Sequence, residues 1–191
     1  MEMAQAHRRL GSLVTVIEGQ KAFGKDDREV AAIALQKLCR EGILIVEGAL
    51  AKNISGVAGN ITVETSNGTF TGTHLLVAVG RKVNTEKLNL EVAGIKHHSG
   101  GIKTDSGLRT SNRRVYAIGD VAGGLQFTHV AGYHAGVIIR SMLFGLPAKA
   151  KVDHIPWATY TDPELAQVGM TEAQAQEKFG ARLDVVRFNF S

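Results

Sequence analysis

The sequence predicts an α/β chain, and three observations carry that prediction. A β-branched run from Leu13 to Ile17, a helix-period stretch over Val30, Ile33, Ala34 and Leu38, and an apolar run from Ile43 to Val46 succeed one another as strand, helix and strand. Asn67-Gly68 stands between two alternating stretches, the strongest short-range hairpin signal. Val115 to Ile118 forms a short β-type run that passes directly into Gly119-Asp120 and then into a long helical pattern. At 191 residues the chain holds about one domain or a tight pair of small ones.

Taken in order, Met3, Ala6, His7 and Leu10 recur at helical spacing and Gly11 stops the pattern. No Ser, Thr, Asp or Asn caps the start, so the chain is expected to open inside a helix whose beginning has been cut away. Leu13 to Ile17 closes on the acidic Glu18 and reads as a buried parallel strand. Asp26 and Glu29 then make an Asp-x-x-Glu capping box for a helix that Gly42 ends. Ile61 to Ser66 and Thr69 to Thr71 are the hairpin arms, and Leu75 to Val79 is a further buried strand running into Gly80. Arg81 to Gly107 is polar and rich in turns.

A second compact unit begins at Val115, and its helix runs from near Thr128 to Phe144, where Pro147 blocks continuation. Ala131, Gly132, Ala135 and Gly136 on that helix leave room for a backbone or a flat ligand. Ala148 to Asp153 reads as a linker and Ile155 to Thr159 as a strand. Thr171 with Gln174 caps a helix ending at Gly180, and Leu183 to Phe190 alternates as a strand that the chain's end interrupts.

Hydrophobic residues make up 44% and charged residues 21%, which places the chain among ordinary globular proteins rather than disordered ones. There is no run of ~18 apolar residues, so no membrane span is predicted, and the N-terminus lacks the layout of a secretion signal. A single cysteine, Cys39, excludes an internal disulfide framework and a Cys-based metal site, and points to a reducing cytoplasm. Late on an amphipathic helix, Cys39 is expected to be a small buried core residue. A net charge of +4 with scattered Lys and Arg argues against nucleic acid as a partner. His97 and His98 adjoin in a polar loop without further ligands, so a surface role is expected and no metal site is predicted.

Dinucleotide-binding βαβ units place a glycine-rich turn at the first helix's N-terminus and, about 20 residues on, an acid that binds the adenosine ribose. Counting back from Glu18 puts those glycines just before Met1. On this reading the phosphate-binding loop is absent while the helix and the ribose-binding acid, Glu18, remain. Glu18 also reads as a plain solvated acid at a strand end, and this half-motif alone leaves both readings open.

The segment Tyr116-Ala-Ile-Gly119-Asp120, continued by Val-Ala-Gly-Gly-Leu-Gln-Phe127-Thr128-His-Val-Ala, resembles the pyridine nucleotide–disulfide oxidoreductases, a flavoprotein family. Leu76-Val-Ala-Val-Gly80-Arg81-Lys-Val-Asn84-Thr resembles the family's strand-ending segment, with Val79 in place of the usual Thr. Gly101 to Asp105 and Leu108 to Ser111 resemble the hairpin leading into the flavin aspartate. Ile155-Pro-Trp157, Thr161-Asp-Pro-Glu164, Val168-Gly169 and Thr171-Glu172 resemble the start of a dimerisation domain.

The resemblance implies an α/β chain made of a Rossmann-like nucleotide-binding domain without its first strand and Gly loop (residues 1–82), the returning segment of an FAD-binding domain (83–150) and the start of an α+β dimerisation domain (151–191). It implies FAD and NAD as cofactors. Asp120 is then the acceptor for the flavin ribityl chain, following Gly119, and Phe127 and Thr128 lie beside the ring. Glu18 contacts the adenosine ribose, and Gly80 and Arg81 close the nucleotide domain. The packing or solvent role expected of His129 and His134 leaves no catalytic residue here, because the family's redox disulfide and catalytic His–Glu pair lie outside these residues.

The expected whole protein is a cytoplasmic homodimer that moves a hydride between nicotinamide and FAD, and electrons to or from a disulfide, a metal ion or another small acceptor. This chain alone is expected to be inactive. The mercuric-reductase-like and dihydrolipoamide-dehydrogenase-like branches are not separated, although Gln126-Phe127 leans toward the former. The rival expectation is a non-catalytic nucleotide-binding or dimerisation module that has kept the fold.

Overall fold

In the computed structural model, which describes residues 1–189, the first helix, α1 (Glu2–Arg9), ends where Gly11 turns the chain at φ +100°. A residue without Cβ takes that angle at little cost. The apolar spacing that predicts α1 is not what holds it, since Met3 and Leu10 are exposed. The buried residue is Gln5, whose amide donates to the Asp162 carbonyl at 2.8 Å and accepts the Asp162 N–H at 2.8 Å.

Strand β1 (Thr15–Ile17) pairs in parallel with β2 (Leu44–Val46), and α2 (Arg28–Arg40) returns the chain between them. Three details differ from expectation. The strand is half-buried rather than buried, with Leu13 outside it and exposed. The N-cap of α2 is Asp27, whose Oδ1 accepts from Glu29 N at 3.2 Å, because the Asp26 carboxylate is taken by the Trp157 indole N–H at 3.3 Å. The face that packs is Ala31, Ala34 and Leu38, which leaves Val30, Ile33 and Cys39 exposed. Cys39 follows Leu38 by one residue and so points about 100° away from the buried face.

The Asn67-Gly68 turn joins β4 (Asn60–Thr65) to β5 (Gly68–Gly72), and β3 (Ala51–Val57), which sequence patterning missed, completes an antiparallel meander ordered β3-β4-β5. Every residue of β3 is exposed, so it carries no hydrophobic alternation to read. The expected buried strand at Leu75 to Val79 is absent: the segment is irregular and Leu76, Val77 and Val79 are exposed. A parallel-type strand is buried by its neighbours, and none of the described residues pairs with this one.

The chain divides into two units, one of Met1–Val77 with Pro156 onward and one of Ala78–Ile155. In the first, residues from Pro156 on contribute the antiparallel pair β8 (Pro156–Thr159) and β9 (Leu165–Val168) and the helix α4 (Glu172–Phe179). The Thr171–Gln174 capping box forms as expected. A short 3₁₀ turn ends at Arg182, and the expected strand from Leu183 is absent over 183–189, where the chain has no regular structure and is exposed after the half-buried Leu183; Phe190 lies outside the described residues.

Arg9 links the pieces of this unit by donating to both Glu41 and Asp162. The Arg9 guanidinium, helped by the Gln5 amide, holds the Glu41 carboxyl at about 2, well below its ordinary 4.5. A depressed carboxyl pKa contributes stability that is present above 4.5 and lost as pH falls toward 2. Glu41→Gln is therefore expected to lower the melting temperature modestly at neutral pH, with the gap from wild type closing on acidification below 4.5. Thermal melts of both proteins across that range check it; a gap independent of pH refutes the assignment.

The second unit holds a core of Leu90, Ile95, Ile102 and Ala117, with Val115, Val121 and Ala122 packed against it. A two-residue hairpin, β6 (His97–His98) and β7 (Gly101–Ile102), lies over this core. Val115 to Ile118 does not form a strand; its pairing is the single bridge of Tyr116 to Arg109. The helix α3 spans Thr128–Phe144, as expected, and ends at Gly145 in the left-handed region. Among the described residues no helix is long and apolar enough to cross a membrane.

Candidate functional site

Residues 119–122 form one 3₁₀ turn, entered by Gly119 at φ +67° and left by Gly123 at φ +75°. Gly119 is buried, and a Cβ there would stand 3.0 Å from the Ala131 methyl of α3. Its N–H donates to Nδ1 of His134, also on α3, at 3.1 Å. The Asp120 carbonyl accepts from Gly123 N at 3.0 Å, which closes the turn. The Asp120 side chain is exposed and takes no partner among the described residues. This is a carboxylate held on a rigid backbone with its lone pairs free to accept.

The hairpin braces the same turn from the other side. A Cβ on Gly101 (φ +137°) would stand 2.6 Å from the Val121 carbonyl oxygen and 2.9 Å from Gly123 N, so the two backbones touch.

Phe127 is the N-cap of α3 and offers no side-chain acceptor, and no acid lies in the first turn. The Phe127 carbonyl takes the Val130 and Ala131 N–H groups at 3.0 and 3.3 Å, while no side chain caps the start, so the positive dipole end is left uncompensated by an acid, an arrangement suited to an electron-rich oxygen. Thr128 is the first helical residue, and the Phe127 ring stacks on that of His129 at 5.3 Å. Arg81 reaches this start too, its guanidinium donating to the Gln126 carbonyl at 3.3 Å. Gly80 sits just before it at φ +139° with no neighbour that a Cβ would meet. Gly132 and Gly136 likewise have open space where a Cβ would stand, so the room expected on α3 is not filled by protein.

Glu18 belongs to the other unit. It follows β1 directly; its N–H donates to the Val46 carbonyl and its Oε1 accepts from Gln20 N at 2.9 Å. The carboxylate is part-buried, with its second oxygen open among the described residues. Lys21, the nearest basic residue in sequence, is engaged elsewhere, pairing with Glu47 at 2.9 Å. That contact, with a further hydrogen bond from Ala22 N, holds the Glu47 carboxyl below its usual range. No cation therefore neutralises Glu18 within the described residues.

His97 pairs with Glu91 at 2.7 Å on the surface. The bond from Gly119 to His134 had no signature in the sequence, because a side chain that caps a peptide N–H fifteen residues earlier leaves no periodic trace.

The pyridine nucleotide-disulphide oxidoreductase family model matches residues 1–135, and that family's dimerisation domain matches residues 155–191. Mercuric reductase of Staphylococcus aureus is 38% identical over 185 residues, covering 93% of this chain and 34% of that protein. Dihydrolipoyl dehydrogenase of Rhizobium etli is 37% identical over 199 residues, covering 100% of this chain and 41% of that protein. The HOCl-induced flavoprotein disulfide reductase RclA from Escherichia coli, in its Cu(II) complex, matches with a TM-score of 0.83 at 30% identity, over 92% of this chain and 41% of that one. LpdA from Mycobacterium tuberculosis shares the fold, with a TM-score of 0.84 at 24% identity, over 92% of this chain and 39% of that one. The chain spans between a third and about two-fifths of the length of these curated relatives.

Proposed function

The chain belongs to the pyridine nucleotide-disulphide oxidoreductase family, and from that premise we propose that it is the nucleotide-side portion of an FAD-dependent NAD(P)H oxidoreductase. The single observation that carries this reading is the pairing of an unpartnered, rigidly held Asp120 with an uncapped helix start at Phe127-Thr128. We assign residues 1–82 to the nucleotide-binding domain, 83–150 to the FAD-binding domain and 151–191 to the dimerisation domain; the family's dimerisation model, which begins at residue 155, supports the last of these. The matched dimerisation segment supports a homodimer.

The residues fit the cofactors by their donor sets. Asp120 would accept from a ribityl hydroxyl, and the positive dipole end opening α3 would suit an electron-rich carbonyl edge. Phe127 and Thr128 flank that edge, and Gly80 and Arg81 lead the chain to it. Glu18 accepts hydrogen bonds from the adenosine ribose of the nicotinamide nucleotide. Once bound, FAD and the nicotinamide supply the hydride chemistry, with a disulfide, a metal ion or another small acceptor at the far end. The work of this chain is to bind and orient.

Flavin absorbance and NADH oxidation by the purified whole protein test the reading. A yellow, NADH-oxidising protein is expected. A colourless, inert one overturns it in favour of a non-catalytic module. The 191-residue chain alone carries one cysteine, so no dithiol within it can take up electrons, and no NADH-dependent disulfide reduction is expected of it. Disulfide-dependent turnover by the chain alone overturns that part.

Glu18 also sets a cofactor preference. A carboxylate accepts from ribose hydroxyls and repels a 2′-phosphate, and Lys21 is tied to Glu47 rather than offered to that phosphate. The whole protein is expected to favour NADH over NADPH in kcat/KM. Glu18→Ala is expected to lower kcat/KM for NADH about tenfold or more, as loss of a charge-assisted hydrogen bond does. Steady-state rates with both nucleotides decide it, and a wild-type preference for NADPH counts against the role of Glu18.

A further inference from the structure

His134 is the one buried histidine among the described residues, and its place on the inner side of α3 gives it a task beyond packing. Its Nδ1 lies 3.1 Å from the buried N–H of Gly119. The donor there is a peptide, so the direction of the bond is unambiguous: Nδ1 must be bare and the ring neutral, with its proton on Nε2. Burial also holds the ring below its ordinary pKa, which favours the neutral form. Ala131, three residues earlier on the same helical face, lies so close that a Cβ on Gly119 would stand 3.0 Å from its methyl. One helix thus grips one residue at two points, and the next residue is Asp120.

We propose that His134 is a positioning residue for cofactor binding, which fixes the Gly119–Asp120 turn against α3 through Nδ1 and so sets where the Asp120 carboxylate stands relative to the start of that helix. The inference rests on the reading of Asp120 as a flavin contact. Among the described residues His134 Nδ1 is the acceptor of the Gly119 N–H, and the bond is buried away from solvent. Loss of the acceptor leaves a buried donor unpaired, and the turn relieves this by opening. Opening displaces Asp120 without altering its chemistry.

The test uses the whole protein with two substitutions. His134→Phe fills the space and removes the acceptor; His134→Asn places Oδ1 where Nδ1 stood and restores it. Hydrogen exchange of the Gly119 amide, read in the apoprotein, reports the bond without any cofactor, and titration of the apoprotein with FAD reports its consequence. Expected are exchange faster by about tenfold or more and FAD affinity weaker by about tenfold in His134→Phe, with both largely rescued in His134→Asn.

Asp120→Ala, run beside them, is expected to weaken FAD binding while Gly119 exchange stays at the wild-type rate. A folded His134→Phe with wild-type exchange and affinity overturns the proposal, as does an Asn variant as impaired as the Phe one. If Asp120→Ala keeps full affinity, the flavin reading of Asp120 fails instead, and the exchange arm still shows whether His134 holds the turn. Should His134→Phe not fold, ring nitrogen NMR shifts of the wild type decide: an Nδ1–H tautomer overturns the bond.

Discussion

Gly101→Ala is expected to destabilise the second unit by about 2–6 kcal/mol, the sum of backbone strain at a glycine-only angle and of forcing a methyl into backbone atoms. Gly101 sits at φ +137°, and its new Cβ would meet the Val121 carbonyl oxygen at 2.6 Å and Gly123 N at 2.9 Å. Neither atom belongs to a flexible side chain that could swing away. A domain's whole stability is about 5–15 kcal/mol, so the loss is a large share of it. Gly124→Ala is the control: its φ is +74° but nothing lies within 4 Å of the added carbon, so only the angle is penalised, at about 1–2 kcal/mol. Denaturant unfolding of the two variants measures the difference. Equal midpoints would mean that the hairpin and the 119–123 turn are not in contact as described.

Asp120→Ala is expected to behave in the opposite way, leaving stability nearly untouched while weakening FAD binding by about 10–150-fold. That range corresponds to about 1.5–3 kcal/mol for a hydrogen bond to a charged group. The side chain is exposed and accepts nothing from the described residues, so its removal leaves no protein group unpaired and folding should shift by no more than about 0.5 kcal/mol. Calorimetric titration of the apoprotein with FAD, beside a thermal melt, separates the two effects. Unchanged affinity would reduce Asp120 to a turn residue, and a large drop in melting temperature would mean that it supports the fold.

Much of this was legible in the residues because the signals were local. The α3 bounds follow from periodicity and Gly145, the α4 start from Thr171 and Gln174, and the hairpin from Asn67-Gly68. What failed depended on distant partners. Asp26 and Asp27 are equally good caps by composition, and only the Trp157 indole, 131 residues away in sequence, decides between them. Leu75 to Val79 has the composition of a strand, but a strand needs a neighbour and periodicity does not name one. Cys39 is apolar in kind yet one step off the packed stripe. At the site, Gly119, Asp120, Phe127 and Thr128 came from motif order, whereas the Gly119–His134 bond and the Gly101–Gly123 contact needed coordinates.

The first unit is discontinuous, its two stretches separated by Ala78 to Ile155, which is 155 − 77 = 78 residues. On the ribosome this sets a timetable. At roughly 5–20 residues per second, the intervening stretch takes about 4–16 s to synthesise. Throughout that interval Gln5, Arg9, Asp26 and Asp27 wait for Asp162, Trp157 and the Glu172 N–H, their partners in the finished protein. The middle of the chain, a compact unit by itself, is free to close before the stretch made ahead of it is completed. A nascent chain paused between Ile155 and Asp162 would therefore present a finished second unit and an unfinished first one, and it is there that an early helix lacks its anchor and a chaperone would have most to hold.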